Sequence, residues 1–202
     1  MLPKSPISAL PGERLPGLGH NQGPPMDAGF SGRRFAWKKA RAELMPKLPL
    51  ETVRRRVRRA KELGLEYPQY ASILLGTGRD IIGFLYTCQA LGLQLGRTPP
   101  VPAPVSAKLS TLGSCQRIAL SDMPARVADA LSGAGIPIDL VRAQPAPNAT
   151  WPDSRDAIRA VLDPLKMPSD TVVIVGTQPH EREWADAAGL ARFLPSDQYF
   201  AR

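Results

Sequence analysis

Polar side chains that could do chemistry follow two apolar segments that are typical of buried strands. Ser121 and Asp122 come directly after residues 117–120, and the stretch from Thr177 to His180 follows the β-branched run 171–175. Parallel sheets bind ligands at the carboxyl ends of their strands, so both positions are candidates for a site. They do not predict a Ser-His-Asp triad, because the chain has no Gly-x-Ser-x-Gly turn and His180 sits in a loop behind a proline.

No complete motif for a cofactor or a metal ion is present. Gly76-Thr77-Gly78 lacks the further glycine and the Lys-Ser/Thr pair of a P-loop, and we interpret it as a turn. The 2 cysteines, Cys88 and Cys115, and the 2 histidines are not spaced as zinc ligands. We therefore expect no cofactor and no metal site, with reduced thiols.

The most strongly charged element is a helix predicted over residues 50–63. Leu50, Val53, Val57 and Ala60 form its apolar stripe, and Gly64 is suited to end it. Within residues 54–61, 6 of 8 side chains are Arg or Lys with no acid between them, which exceeds what solubility needs. We predict that the following side chains contact an anionic partner: Arg54, Arg55, Arg58, Arg59 and Lys61.

The net charge of +8 is confined to the first part of the chain. Residues 1–80 contain 15 Lys and Arg against 7 Asp and Glu, whereas residues 81–202 contain 11 of each. This asymmetry favours a nucleic acid, an acidic protein or an anionic membrane surface as partner. The first 30 residues carry no secretory signal and no apolar run is long enough to span a membrane, so we expect a cytoplasmic protein.

Three parts of the chain are predicted from composition and periodicity. Residues 1–32, with 6 Pro and 6 Gly, form a disordered tail. Residues 33–78 form a basic helical arm, with helices over 33–45, 50–63 and 67–75. Residues 79–202 form an α/β domain that includes a Pro-rich extended surface loop at 96–107.

The α/β domain is predicted from alternating strands and helices. Residues 81–87 fit both a strand and a helix, and we interpret them as a strand because turn residues precede them. The further strands are predicted at 117–120, 138–141, 171–175 and 192–194, and the helices at 124–132, 154–165 and 181–190. This alternation predicts a Rossmann-like parallel sheet with flanking helices, which is preceded by the basic arm and the tail.

The second part of the chain resembles the core of the haloacid dehalogenase-like (HAD) superfamily over roughly residues 81–200. The resemblance is carried by the strands at 81–87 and 117–121 and by Trp151-Pro152-Asp153 before a helix. It is most specific at 173–176 and 185–190, where an apolar strand ends in Gly and a helix ends in Ala-Gly-Leu. It implies a Rossmann-like fold and, in active members, Mg²⁺-dependent transfer through a strand-end Asp nucleophile.

Several functional positions of that family are not preserved. The nucleophile position falls at Leu85, the acid/base position at Thr87, the lysine position at Trp151 and a metal-binding acid at Thr177. Ser121 matches the Ser/Thr position, and Asp122 and Glu181 lie close to strand ends. The resemblance therefore implies a fold without the usual catalytic residues. The candidate ligand pocket at the strand ends consists of Leu85, Thr87, Ser121, Asp122, Trp151 and Thr177.

Three functions remain open at this point. The first is a non-catalytic HAD-like protein whose basic arm binds an anionic partner, above all nucleic acid, without sequence preference. The second is a divergent Mg²⁺-dependent phosphohydrolase that uses Ser121, Asp122 and Glu181. The third is an accessory subunit of a larger assembly, in which the tail and arm become ordered on a partner.

Overall fold

The computed structural model describes residues 48–93 and 101–200. The predicted tail at 1–32 and the predicted helix at 33–45 lie outside the described residues, as do residues 94–100.

Within the described residues, two helices precede the sheet. Helix α1 spans Leu50–Glu62 and helix α2 spans Tyr67–Thr77. Gly64 ends α1 with a φ of 63°, and its N–H reaches the Lys61 carbonyl at 3.0 Å. Helix α2 begins with a capping box of Glu66 and Gln69 and ends at Gly78, whose φ is 71°. The left-handed conformation at both ends explains why the chain uses glycine there.

The part of the chain that the structure describes contains five strands, which form one parallel sheet. They are β1 (Gly83–Thr87), β2 (Gln116–Ser121), β3 (Leu140–Ala143), β4 (Val172–Gly176) and β5 (Arg192–Pro195). Their order is β3-β2-β1-β4-β5, and every neighbouring pair is parallel. The Rossmann-like parallel sheet predicted from the sequence is therefore confirmed. The predicted strand at 81–87 is confirmed for residues 83–87, and residues 81 and 82 precede it.

Five further helices complete the described chain. They are α3 (Ala103–Thr111), α4 (Pro124–Gly133), α5 (Trp151–Leu162), α6 (Pro179–Ala188) and α7 (Ser196–Phe200). Short 3-10 turns at Asp163–Leu165 and Ser169–Thr171 lead from α5 into β4.

One face of the sheet packs against the first helices of the chain. Phe84 and Tyr86 of β1 belong to a buried cluster with Ala60 of α1, Ile73 of α2 and Leu109 of α3. Helices α4 and α7 add Leu131 and Tyr199 to the same cluster. Residues 50–77 are therefore packed on the core of the sheet, and α1 presents only part of its surface to solvent.

The opposite face is covered by α5 and α6. Leu85 of β1 and Ile174 of β4 lie in a second buried cluster with Ile158 of α5 and Trp184 of α6. Successive residues of β1 thus enter different clusters, as the alternation of side chains along a strand requires. Because both faces are covered, all five residues of β1 are buried.

The predicted extended loop at 96–107 is wrong for residues 103–107, which belong to α3. Pro104 lies in the first turn of this helix, where a missing N–H costs nothing, and Val105 is buried against the sheet. Helix α7 was not predicted at all. Its Tyr199 is buried, and the phenol donates to the Leu63 carbonyl at 3.1 Å.

Candidate nucleic-acid interface and strand-end cleft

Four cations lie on one exposed side of α1. Arg54, Arg58 and Lys61 follow one another at helical spacing, Arg55 lies beside them, and all four are exposed. Arg54 forms an ion pair with Glu51 at 2.7 Å, in which the two side chains are 64% and 81% exposed. Such an exposed pair is weak and leaves Arg54 able to exchange partners. We call Arg54, Arg55, Arg58 and Lys61 the basic face.

Arg59 is not part of the basic face, although the sequence predicted it as a contact residue. Its side chain is only 16% exposed and donates to Asp80 Oδ2 and to the Ile81 carbonyl, each at 2.8 Å. It also reaches the Ser114 carbonyl at 3.1 Å and Glu62 at 3.3 Å. Burial by itself lowers the pKa of Arg59, but the bonds to Asp80 and Glu62 outweigh it and raise the pKa. Arg59 therefore fastens α1 to the amino-terminal ends of β1 and β2.

A cleft of about 530 Å³ lies at the carboxyl ends of the strands. Strand β1 has β2 on one side and β4 on the other, so the chain changes direction across the sheet between β1 and β4. Ligands of open α/β sheets bind at such a switch point. The cleft is lined by polar and apolar residues, and the polar ones include Gln89, Asp122, Gln144, Gln178, His180 and Glu181.

Only part of the predicted ligand pocket reaches this cleft. Asp122 lines it, whereas Leu85 and Thr87 are buried within the sheet layer. Thr87 Oγ1 accepts from the Ala90 N–H at 3.3 Å, so the hydroxyl serves the turn after β1. Trp151 is 57% exposed at the start of α5 and does not line the cleft.

The two remaining predicted residues make local contacts. Ser121 is buried, and its Oγ accepts from the Met123 N–H at 2.9 Å, which shapes the turn before α4. Thr177 is exposed, and its hydroxyl lies 3.1 Å from Ser196 Oγ. Both hydroxyls are thus engaged with the chain itself.

Sequence reasoning missed several lining residues, among them Cys88, Gln89 and Gln144. Cys88 and Gln89 directly follow β1, and Gln144 directly follows β3. The position after a strand was the signal that could have found them. Gln144 was hidden because β3 ends at Ala143, two residues beyond the predicted end of that strand.

The carboxylate of Glu181 occupies the amino-terminal end of α6. Glu181 is 2% exposed, and its Oε2 accepts from the N–H groups of Thr177 at 2.5 Å and Gln178 at 2.8 Å. The amide groups that a bound phosphate would use at a helix start thus already hold an anion of the chain itself. Gly176 leaves room for it, since a Cβ there would lie 2.5 Å from the same oxygen.

Cys88 at the edge of the cleft is a weak nucleophile. Burial raises the pKa of its thiol, and the nearby carboxylates of Asp122 and Glu181 act in the same direction against a hydrogen bond with Ser121. The reactive form of cysteine is the thiolate, so a raised pKa keeps the thiol unreactive at neutral pH.

Residues 48–93 and 101–200 contain neither a cluster of metal ligands nor a membrane-spanning helix. No three His, Cys, Asp or Glu side chains lie close enough together there to hold a metal ion. None of the helices described is both long and apolar enough to cross a membrane.

Fold and surface together define an α/β protein with an open parallel sheet, a cleft at the switch point and a basic face on its first described helix. Comparison of the chain with known protein families, curated proteins and solved structures finds no significant match.

Proposed function

We propose that the protein is a non-catalytic α/β protein with a degenerate HAD-like core that binds nucleic acid without sequence preference through the basic face. The observation that carries this proposal is the exposure of Arg54, Arg55, Arg58 and Lys61 on one side of α1. Among the described residues, the only ion pair of these four joins Arg54 to Glu51. Clustered cations of this kind neutralise phosphates and release counterions, which drives non-specific binding.

The strand-end cleft supports the non-catalytic part of the proposal. The positions that the HAD resemblance assigns to the nucleophile and the acid/base are Leu85 and Thr87, and both side chains are buried. Glu181, the first acid after β4, already accepts two backbone N–H groups. Phosphoryl transfer needs charge neutralisation and positioned acids, and these side chains do not supply them.

Fluorescence anisotropy of labelled duplex DNA and single-stranded RNA with the full chain tests the proposal. The variant changes Arg54, Arg55, Arg58 and Lys61 to Ala, and the control changes Arg126, Arg142, Arg159 and Arg182 to Ala. Both variants lose the same charge, and all eight side chains are exposed. We expect the basic-face variant to lose about tenfold or more in affinity and the control to change by about twofold or less.

Two results would contradict the proposal. Equal losses in both variants would show that overall charge, and not the basic face, governs binding. Absence of binding even at low salt would exclude nucleic acid as the partner and would direct attention to an acidic protein surface. Duplexes of two unrelated sequences should bind alike, because phosphate contacts carry no sequence information.

A further inference from the structure

A groove of about 730 Å³ runs beside the basic face. It lies between the end of α1 and the start of α2 on one side and helices α3 and α7 on the other. Lys61 belongs to both features, because it lines the groove and continues the row of Arg54 and Arg58 along α1. The groove and the basic face therefore form one continuous surface.

The floor of the groove is apolar and one of its walls is aromatic. Val57, Ala60 and Leu65 contribute aliphatic surface, and the half-buried Tyr67 contributes a ring. Within the described part of the chain this ring has no aromatic partner, unlike the rings of Tyr86 and Tyr199, which contact each other. An aromatic ring that lines a groove beside aliphatic surface suits the stacking of a planar heterocycle.

The rim of the groove carries both neutral and charged polar groups. Gln69 and Gln198 present amides, and Lys108 lies 4.1 Å from the centre of the Tyr199 ring while it donates to the Tyr199 carbonyl. Among the described residues, Glu66 is the one carboxylate that lines the groove. With Lys61 and Lys108 against Glu66, and with Arg58 close by, the balance of charge favours an anionic chain at the rim.

We infer that the groove takes the bases of a single-stranded nucleic acid whose phosphates lie on the basic face. This inference rests on the proposed function and adds to it the form of the nucleic acid. Paired bases in a duplex are stacked inside the helix and cannot enter a groove, whereas unpaired bases can leave the strand and stack on an aromatic side chain. The basic face thus supplies contacts common to both forms, and the groove supplies contacts that only a single strand can use.

The test fills the groove without touching the basic face. Ala107 is exposed on α3 and lines the groove, so Ala107→Trp places a large side chain in it. Ala125→Trp on α4 is the matched control, because Ala125 is also an exposed helical residue and does not line the groove. Tyr67→Ala is a second variant, which removes the ring. It tests the same inference if Ala107→Trp does not fold.

Three probes are compared by anisotropy on the full chain: an oligothymidylate of about 12 nucleotides, a strand of the same length in which the bases are replaced by abasic sites, and a duplex of that length. We expect Ala107→Trp and Tyr67→Ala to lower the affinity for oligothymidylate about tenfold. Their affinities for the abasic strand and the duplex should stay within about twofold of the wild type, as should all three affinities of Ala125→Trp.

The possible outcomes separate this inference from the proposed function. If the groove variants bind oligothymidylate as the wild type does, or lose affinity for all three probes equally, the groove does not take bases and the inference fails, while binding by the basic face stands. If replacing the four basic-face cations changes none of the three affinities, the proposed function fails first and the inference fails with it.

Discussion

Arg59 shows how the same residue type serves two purposes within one helical turn. Its neighbour Arg58 is exposed, whereas the Arg59 guanidinium is mostly buried and bonds to Asp80 and to backbone carbonyls of the segments that enter β1 and β2. A planar group with five donors can satisfy several acceptors at once, which a lysine cannot do. One of the cations of α1, Arg59, therefore stabilises the fold and is not part of the exposed basic face.

Arg59→Ala should lower the free energy of unfolding by about 1 to 3 kcal/mol, because Asp80 Oδ2 and the Ile81 carbonyl lose this donor. Arg59→Lys should fall between the wild type and Arg59→Ala. Urea denaturation measures these changes, with Arg58→Ala as control, for which a change within about 0.5 kcal/mol is expected. A similar small effect of Arg59→Ala would show that the network contributes little to stability.

Tyr70 gives the fold a dependence on alkaline pH. Burial, with help from the hydrogen bond to Asp80 Oδ1, raises the pKa of its phenol to about 12 from an ordinary value of 10.0. Because the pKa is higher in the folded protein, this contribution to stability is complete below about pH 10 and is lost as the pH rises through about 12.

Tyr70→Phe removes this titration while the buried Tyr86 and Tyr199 remain. We expect the stability of the variant, followed by urea denaturation from neutral to alkaline pH, to fall less steeply above pH 10 than that of the wild type. At neutral pH the free energy of unfolding of the variant should be about 0.5 to 1.5 kcal/mol lower, because the hydrogen bond to Asp80 is missing. Parallel pH profiles of the two proteins would refute the account of Tyr70.

At the scale of single elements, α6 is stabilised at its start by a carboxylate from its own first turn. Glu181→Ala should cost about 1 to 2 kcal/mol of unfolding free energy, because two backbone donors lose their acceptor and the helix dipole loses its counter-charge. Glu183→Ala is the matched control, since Glu183 is exposed in the same helix. Thermal melting followed by circular dichroism compares them, and equal melting temperatures would contradict the capping role of Glu181.

Strands and helices with a clear hydrophobic period were predictable from the sequence, and the elements set by tertiary contacts were not. The run at 172–176 is β-branched and buried on both faces, so its composition alone predicted a strand. Residues 103–107 have two prolines in or beside the first turn of α3, Pro102 and Pro104, and these hid the helix. Helix α7 spans only five residues and owes its position to the contacts of Tyr199 with Leu63 and Tyr86.

For the candidate sites, the approximate location was predictable from the sequence, whereas the individual residues were predictable only in part. Charge density located the basic face, but no one-dimensional pattern separates Arg59 from Arg58, because the difference lies in Asp80 and in carbonyls that only the folded chain brings near. The strand-end cleft was predicted in kind. The residues that line it were not predicted, because they follow directly after β1 and β3, and the exact ends of these strands could not be read from the sequence.

For the whole molecule, the proposed binding of nucleic acid depends on the excess of positive charge in residues 1–80. The cations within residues 33–47 lie outside the described residues and remain in the basic-face variant, so nucleic-acid binding should be weakened in that variant without being abolished. The number of phosphate contacts made by α1 is therefore best measured as the difference in salt dependence of affinity between the wild type and the basic-face variant.

The most direct measurement is the slope of log affinity against log salt for duplex DNA, between about 50 and 200 mM salt, with the wild type and with the variant in which Arg54, Arg55, Arg58 and Lys61 are Ala. Each lost phosphate contact reduces the slope by about 0.9, so the account predicts slopes that differ by about 3 to 4. Equal slopes would show that the basic face of α1 does not contact the phosphates, and the proposed function would be wrong.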